Sequence, residues 1–153
     1  MRSAQDWLTE YGQRHQHPLN KAIHIVCIPL IMISTVGLLS LVPVPGLPGA
    51  AANAGALALA FAVVYYLLLN VRLAIGMTVV ALVVWAAVQW LAALPIAPLW
   101  LSATAIFVGA WAVQLWGHQV EGRKPSFFKD LQFLLIGPMW LVAAVYRALG
   151  VRF

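Results

Sequence analysis

Four long apolar runs constrain the fold of this 153-residue chain more than any other feature. A helix needs roughly 20 mainly apolar residues to cross the hydrocarbon core of a bilayer, and such runs occur at 22–41, 50–69, 73–93 and 98–117. Charged residues make up only 8% of the chain, against about a quarter in an ordinary soluble domain. We therefore predict an all-α, polytopic integral membrane bundle with four transmembrane helices, in a single domain over residues 1–153.

The turns between these runs differ in charge, and the difference predicts an orientation. The Pro-rich turns at 42–49 and 94–98 carry no charge. The basic residues before the first run, between the second and third, and after the fourth are Arg2, Arg14, Lys21, Arg72, Arg123, Lys124 and Lys129. With four spans they all fall on one side, which the positive-inside rule assigns to the cytoplasm. We expect a bacterial inner membrane, or the endoplasmic reticulum if the chain is eukaryotic, with the N-terminus on the cytoplasmic side. Membrane orientation then accounts for the formal net charge of +5 without nucleic-acid binding.

The leader, residues 1–20, predicts a short amphipathic helix and lacks the pattern of a cleavable secretory signal. Ser3 and Asp6 fit a capping box. A spacing of four residues predicts one shared helix face for Trp7, Tyr11 and His15. Pro18 is expected to end this helix, and Asn20 to cap the first transmembrane helix.

The C-terminal segment is apolar, but it is too short to predict a fifth transmembrane helix with ease. Gly137 and Pro138 interrupt it. A fifth span would carry Arg147 and Arg152 to the outside, whereas a broken, re-entrant or interfacial helix over 127–149 keeps them inside. We favour the second arrangement, because irregular backbone at membrane depth needs cover from protein or a cavity.

The histidines all lie where an apolar run begins or ends, at positions His15, His17, His24 and His118. The predicted topology starts the first span and ends the fourth on one side of the membrane, so His24 and His118 should lie at similar depth. Glu121 follows His118 by three residues and shares its face if the helix continues. An ionisable side chain inside a span is a functional hypothesis by default. Two or three imidazoles with a carboxylate suit non-haem Fe(II), and the same ligands suit zinc.

The polar residues at these helix ends also fit alternative roles, which the sequence alone leaves open. His118 could stabilise only the carbonyl end of its helix, Asn20 could act only as a helix cap, and Glu121 could pair with a neighbouring basic residue. Imidazoles from two helices could also be the axial ligands of a b-type haem. A zinc-dependent membrane hydrolase and a non-enzymatic lipid-binding protein are the remaining alternatives.

Two ordered motifs resemble those of a small membrane family of 2-hydroxy-fatty-acid dioxygenases, known from fungal breakdown of phytosphingosine and with bacterial members. The resemblance extends over most of the chain, including the Gly137-Pro138 pair. The motifs are Tyr11-x3-His15-x4-Asn20-x3-His24-x4-Pro29 and Gly117-His118-x2-Glu121-x3-Pro125.

This resemblance implies a ferrous iron cofactor, Fe(2+), and fatty acid alpha-oxidation. Molecular oxygen would cleave the bond between the carboxyl carbon and the hydroxylated carbon, giving a fatty acid one carbon shorter. The implied iron ligands are His15, His24 and His118, with Glu121 as a fourth ligand or supporting group and Asn20 and Tyr11 in support. His17 lies outside the motif.

The expected partners are a 2-hydroxy fatty acid, molecular oxygen and membrane lipid, and a homo-oligomer is left open. Arg72 lies on the predicted cytoplasmic side with the histidines. It is a candidate for attracting the substrate carboxylate.

Overall fold

The computed structural model describes residues 2–46, 49, 52–122 and 133–153. Within these ranges the chain forms six helices. They are α1 (Ala4–Arg14), α2 (Pro18–Leu39), α3 (Ala54–Leu69), α4 (Val71–Ala93), α5 (Leu99–Val120) and α6 (Ile136–Ala148). The one extended pairing among the described residues is an isolated bridge between Pro43 and Asn53. The predicted all-α fold is confirmed.

Three helices, α2, α4 and α5, are long and apolar enough to cross a membrane, which indicates an integral membrane protein. Helix α3 has 16 residues, or about 24 Å at 1.5 Å per residue, which is short of the roughly 30 Å hydrocarbon core. It begins late because the Asn53 side chain caps it, accepting a hydrogen bond from the Ala56 amide at 3.0 Å. The fourth span therefore stays a prediction, and residues 50 and 51 of the predicted run lie outside the described ranges.

Helix α1 starts as the sequence predicts. The Ser3 hydroxyl accepts from the Asp6 amide at 3.2 Å, and the Asp6 carboxylate accepts from the Ser3 amide at 3.0 Å. These reciprocal bonds form the predicted capping box. The helix buries Leu8 and Tyr11 in a cluster that includes residues of α6, so the leader is part of the bundle.

The predicted roles of Pro18 and Asn20 are wrong. Helix α1 already ends at Arg14, and Pro18 is the first residue of α2, a position where its fixed backbone angle suits a helix and its missing N–H costs nothing. His17 caps α2, with its Nδ1 accepting from the Leu19 amide at 3.3 Å. Asn20 is therefore inside the first turn of α2 and fully buried.

Helix α2 is the centre of the bundle. It packs most extensively against α5 and also contacts α3, α4 and α6. The beginning of α2 and the end of α5 lie at the same end of the bundle, where Asn20 bonds to Glu121. This is the arrangement that brings the histidines of the two sequence motifs together.

Gly137 and Pro138 lie in the first turn of α6, directly after a turn at residues 133–135. Proline is favoured in the first turn of a helix. At 13 residues the helix is about 20 Å long, and it packs on α1, α4 and α2. The Tyr66 hydroxyl of α3 donates to the Leu135 carbonyl at 2.6 Å and fixes the start of α6. Residues 127–132 of the predicted tail lie outside the described ranges, and its placement relative to the membrane stays a prediction.

Candidate metal centre

Three histidines from three helices meet in the interior. His15 follows the last residue of α1, His24 lies in the second turn of α2, and His118 lies in the last turn of α5. The ring centroids of His15 and His24 are 4.3 Å apart. The His118 centroid lies 4.9 Å from that of His24 and 5.3 Å from that of His15. All three side chains are buried, with exposed fractions of 3%, 1% and 7%. Each offers a ring nitrogen within 4.8 Å of those of the other two, which makes the three imidazoles a candidate group for holding one metal ion.

Backbone carbonyls orient two of the rings. His15 Nδ1 lies 2.8 Å from the Tyr11 carbonyl, and His24 Nδ1 lies 2.9 Å from the Asn20 carbonyl, each one helical turn earlier. A carbonyl oxygen can only accept, so we infer that Nδ1 carries the hydrogen in both rings. The Nε2 atom of each neutral ring is then left with a lone pair, which is the arrangement found in metal-ligating histidines.

The contact between the two Nε2 atoms tests whether a metal fits. His15 Nε2 and His24 Nε2 are 3.1 Å apart. Two neutral rings with their hydrogens on Nδ1 present lone pairs to each other there, which is unfavourable without a shared proton or cation. Metal–nitrogen bonds of about 2.0–2.1 Å place adjacent ligand nitrogens about 3–3.4 Å apart. The observed separation matches an edge of such a coordination polyhedron, so these residues fit a metal ion.

The same distance argues against a haem held between His15 and His24. A haem iron with two axial imidazoles needs the macrocycle between the two rings. A gap of 3.1 Å between the Nε2 atoms of His15 and His24 leaves no room for it. The cavity beside the rings is also small, about 30 Å³.

Glu121 and Asn20 fasten the ends of α2 and α5 to each other. Asn20 Nδ2 donates to Glu121 Oε2 at 2.5 Å. Glu121 Oε1 accepts from the amides of Gln16 and His17, at 2.5 Å and 3.3 Å. The carboxylate thus holds the link between α1 and α2 against the end of α5, and thereby brings His15 and His24 to His118. Among the described residues, the group of candidate ligand atoms consists of the three imidazoles.

The same hydrogen bonds determine the charge state of Glu121. Partial burial acts to raise the pKa of its carboxyl group, but hydrogen bonds from the Gln16 amide, the Asn20 side chain and the His17 amide outweigh this effect. The pKa therefore lies below the ordinary value of 4.5, and Glu121 is an anion at neutral pH.

Gly117 allows α5 to approach α2 at this point. A Cβ atom there would lie 2.6 Å from Asn20 Oδ1 and 3.1 Å from the Ile23 side chain. Asn20 Oδ1 is itself buried and lacks a hydrogen-bond partner among the described residues. The glycine of the second sequence motif is thus explained by the close packing of α5 on α2 beside the three imidazoles.

Aromatic side chains pack against the histidines on the side of the site where α1 lies. The Tyr11 ring stacks on His15 with centroids 4.1 Å apart and planes at 20°, and it meets His24 edge-on at 6.4 Å. Trp140 of α6 lies 5.6 Å from the Tyr11 ring. The stacked Tyr11 ring limits rotation of the His15 imidazole, and the supporting role of Tyr11 in the site stays a prediction.

Gln114 was not among the residues predicted for this site. It lies on α5, one turn before His118, is 9% exposed, and lines the cavity beside the histidines. Its Oε1 atom lacks a hydrogen-bond partner among the described residues. The sequence did contain a signal for this residue. Gln114 lies inside an apolar run, four residues before His118, and residues at this spacing share a helix face.

His17, which lies outside the sequence motif, and Arg72, the candidate for attracting the substrate carboxylate, both lie apart from the cluster. The exposed His17 caps α2. Arg72 Nη1 donates to the Arg152 carbonyl at 2.8 Å, and Arg72 is not among the described residues that line the cavity. Neither side chain is brought to the three imidazoles.

Comparison with known proteins identifies a protein family that the chain matches. The protein-family model described as "2-hydroxy-palmitic acid dioxygenase Mpo1-like" matches residues 1–149. No curated protein and no solved structure gives a significant match.

Proposed function

The chain belongs to the Mpo1-like family, and from this membership we propose that it is an Fe(II)-dependent dioxygenase of 2-hydroxy fatty acids. In the proposed reaction, the bond between the carboxyl carbon and the hydroxylated carbon breaks, and the 2-hydroxy acid and molecular oxygen give a fatty acid one carbon shorter, carbon dioxide and water. The observation that carries the proposal is the buried group of three imidazoles with ligand nitrogens within 4.8 Å of one another.

His15, His24 and His118 would hold the iron. Iron bound there supplies redox chemistry with oxygen and a template for the two adjacent oxygens of a 2-hydroxy acid. The protein's own contribution is preorganisation, since the Tyr11 and Asn20 carbonyls hold two rings by their Nδ1–H groups. The cavity that the three imidazoles line would receive the head group of the substrate.

Glu121 acts in this proposal as a positioning residue. Its carboxylate already accepts three N–H groups, from Gln16, His17 and Asn20. Moving it onto the metal would break bonds that hold two of the histidine-bearing segments together. The alternative, in which Glu121 is a fourth ligand, predicts a much greater loss of metal when the carboxylate is removed.

Gln114 would orient the substrate head group. A 2-hydroxy carboxylate offers carboxylate oxygens that accept and a hydroxyl that donates. The carboxamide of Gln114 has both complements, N–H donors and the Oε1 acceptor, and it lines the cavity beside His118. Arg72 would act only from a distance, and an unchanged KM in Arg72→Gln would remove even that role.

We also propose that the metal centre lies at the cytoplasmic end of the bundle. Arg2, Arg14 and Lys21 flank this end, in and just after the leader, as the positive-inside rule expects. The carboxylate and hydroxyl of a substrate could then reach the imidazoles from the aqueous side while its acyl chain remains among the helices.

Metal analysis of anaerobically purified protein, followed by incubation with 2-hydroxypalmitate and oxygen, tests the function. The wild type should contain iron and release the shortened acid, and His24→Ala and His118→Ala should lose both. His17→Asn is the matched control, because asparagine keeps the helix cap and His17 lies outside the cluster. Zinc in place of iron, with no shortened acid, would favour a membrane hydrolase.

A further inference from the structure

We infer that the substrate's acyl chain occupies an apolar passage that runs from the three imidazoles to a groove between α3 and α4. A cavity of about 160 Å³ lies next to the metal-centre cavity, and Met32, Leu134 and Pro138 line both. The two spaces therefore adjoin at these three side chains. This inference rests on the proposed function and adds the location of the acyl chain.

The lining of the second cavity suits methylene groups. Its walls include Val36 and Leu39 of α2, Ala62 of α3, and Met77 of α4. The hydroxyl of Tyr66, which also lines it, already donates to the Leu135 carbonyl. An unbranched alkyl chain gains from leaving water for such a space, whereas a polar ligand would find few partners.

The passage continues beyond this cavity. Leu59, Val63 and Ala81 line both it and a groove of about 440 Å³ between α3 and α4. Val64 and Leu82 on the groove are 53% and 64% exposed, so the groove reaches the outer surface of the bundle. That surface belongs to apolar helices, and lipid would cover it.

The volumes of the cavity and the groove predict where the far end of a long acyl chain lies. An apolar cavity of about 150 Å³ accommodates a ligand the size of benzene, or about six carbons. The second cavity therefore holds only the first part of a long acyl chain, and the remainder must pass Ala81 into the groove. The size of the side chain at position 81 should then affect turnover of long 2-hydroxy acids and leave turnover of short ones unchanged.

The test compares Ala81→Phe with Ala86→Phe on the same helix. Ala81 lines both spaces, whereas Ala86 is exposed and lines neither. We expect Ala81→Phe to lower kcat/KM for 2-hydroxypalmitate by about tenfold or more, the scale for blocked methylene contacts, and to spare 2-hydroxyhexanoate. Ala86→Phe should change neither value. Ala81→Leu provides a smaller obstruction with the same expected direction if the phenylalanine variant fails to fold.

A second measurement does not depend on turnover. Wild-type protein is irradiated with a 2-hydroxy fatty acid that carries a diazirine at the far end of its chain, and the labelled peptides are mapped. Labels on α3 and α4 that excess 2-hydroxypalmitate suppresses would support the passage. Labels elsewhere, or equal chain-length profiles for Ala81→Phe and Ala86→Phe, would overturn it.

The two proposals fail in different ways. Turnover without a chain-length effect at residue 81 would leave the proposed reaction standing and remove the passage. Specific labelling of α3 and α4 without any shortened acid would remove the proposed reaction and keep the passage as a fatty-acid site.

Discussion

Asn20 and Glu121 lie 101 positions apart in the sequence, yet the Asn20 amide donates to the Glu121 carboxylate at 2.5 Å. The bond joins the first turn of α2 to the residue that follows α5. About one helical turn from this bond, the rings of His24 on α2 and His118 on α5 meet edge-on, with ring centroids 4.9 Å apart. The separation between two of the candidate ligands is thus fixed by a pair that need not touch the metal.

Glu121→Gln tests this positioning role. The amide nitrogen of glutamine cannot accept from Asn20, so one bond is lost while the side-chain volume is nearly unchanged. We expect Fe(II) affinity to fall by about 10–100-fold, the usual effect of losing a group that orients ligands, with binding still measurable by titration. Wild-type affinity would contradict any role of Glu121, and complete loss of binding would favour direct ligation.

A double-mutant cycle assigns that loss to the bond itself. Asn20→Ala combined with Glu121→Gln should cost less affinity than the sum of the two single changes, because residues in contact are energetically coupled. Additive losses would show that the two side chains act independently.

Gly117→Ala should destabilise the protein and weaken the metal site. The new Cβ would lie 2.6 Å from Asn20 Oδ1, and relieving such overpacking typically costs about 1–3 kcal/mol. Gly109→Ala on the same helix is the control, because a Cβ there meets nothing within 4 Å. Thermal unfolding in detergent should show a lower Tm for the first variant and an unchanged or higher Tm for the second. Equal Tm values for Gly117→Ala and Gly109→Ala would contradict the explanation that Gly117 is required for close packing of α5 on α2.

Gln114→Leu should impair substrate use without removing metal. Loss of a buried polar partner typically costs about 1–3 kcal/mol, so kcat/KM for 2-hydroxypalmitate should fall accordingly while iron content stays at the wild-type level. The exposed Gln119 provides the matched control, Gln119→Leu. Reduced iron in Gln114→Leu would instead place this side chain among the groups that maintain the metal centre.

Acid should loosen the junction of α2 and α5 through Glu121. Its folded-state pKa is depressed, so the stabilisation is present above the ordinary value of 4.5 and is lost as the pH falls through the lower, folded-state pKa. The difference in Tm between wild type and Glu121→Gln should therefore shrink below about pH 4.5. A difference that stays constant to lower pH would show that the carboxylate charge contributes nothing.

The sequence was sufficient to predict the helices and the meeting of the histidines. Runs of about 20 apolar residues have few alternatives to a helix in lipid, and α2, α4 and α5 were located to within a few residues. His24 and His118 were expected together because the predicted topology places their helix ends on one side. Only the order and number of the runs were needed for that prediction.

The roles of individual polar residues could not be predicted in the same way. Asn20 resembled a helix cap, but the helix starts three residues earlier than that cap implies, at Pro18, which places the Asn20 side-chain amide opposite Glu121. Gln114 faces the cavity because of how α5 rotates against α2, which depends on packing at Gly117. Arg72 bonds to the Arg152 carbonyl, a partner 80 positions away that no local pattern indicated.

The most direct test of the central claim is product analysis of Fe(II)-loaded protein supplied with 2-hydroxypalmitate and oxygen, beside His24→Ala treated identically. The wild type should release the fatty acid shortened by one carbon only when oxygen is present, and the variant should release none. The absence of the shortened acid from the wild type, or an equal yield from His24→Ala, would contradict the claim that the three buried imidazoles form the catalytic iron site.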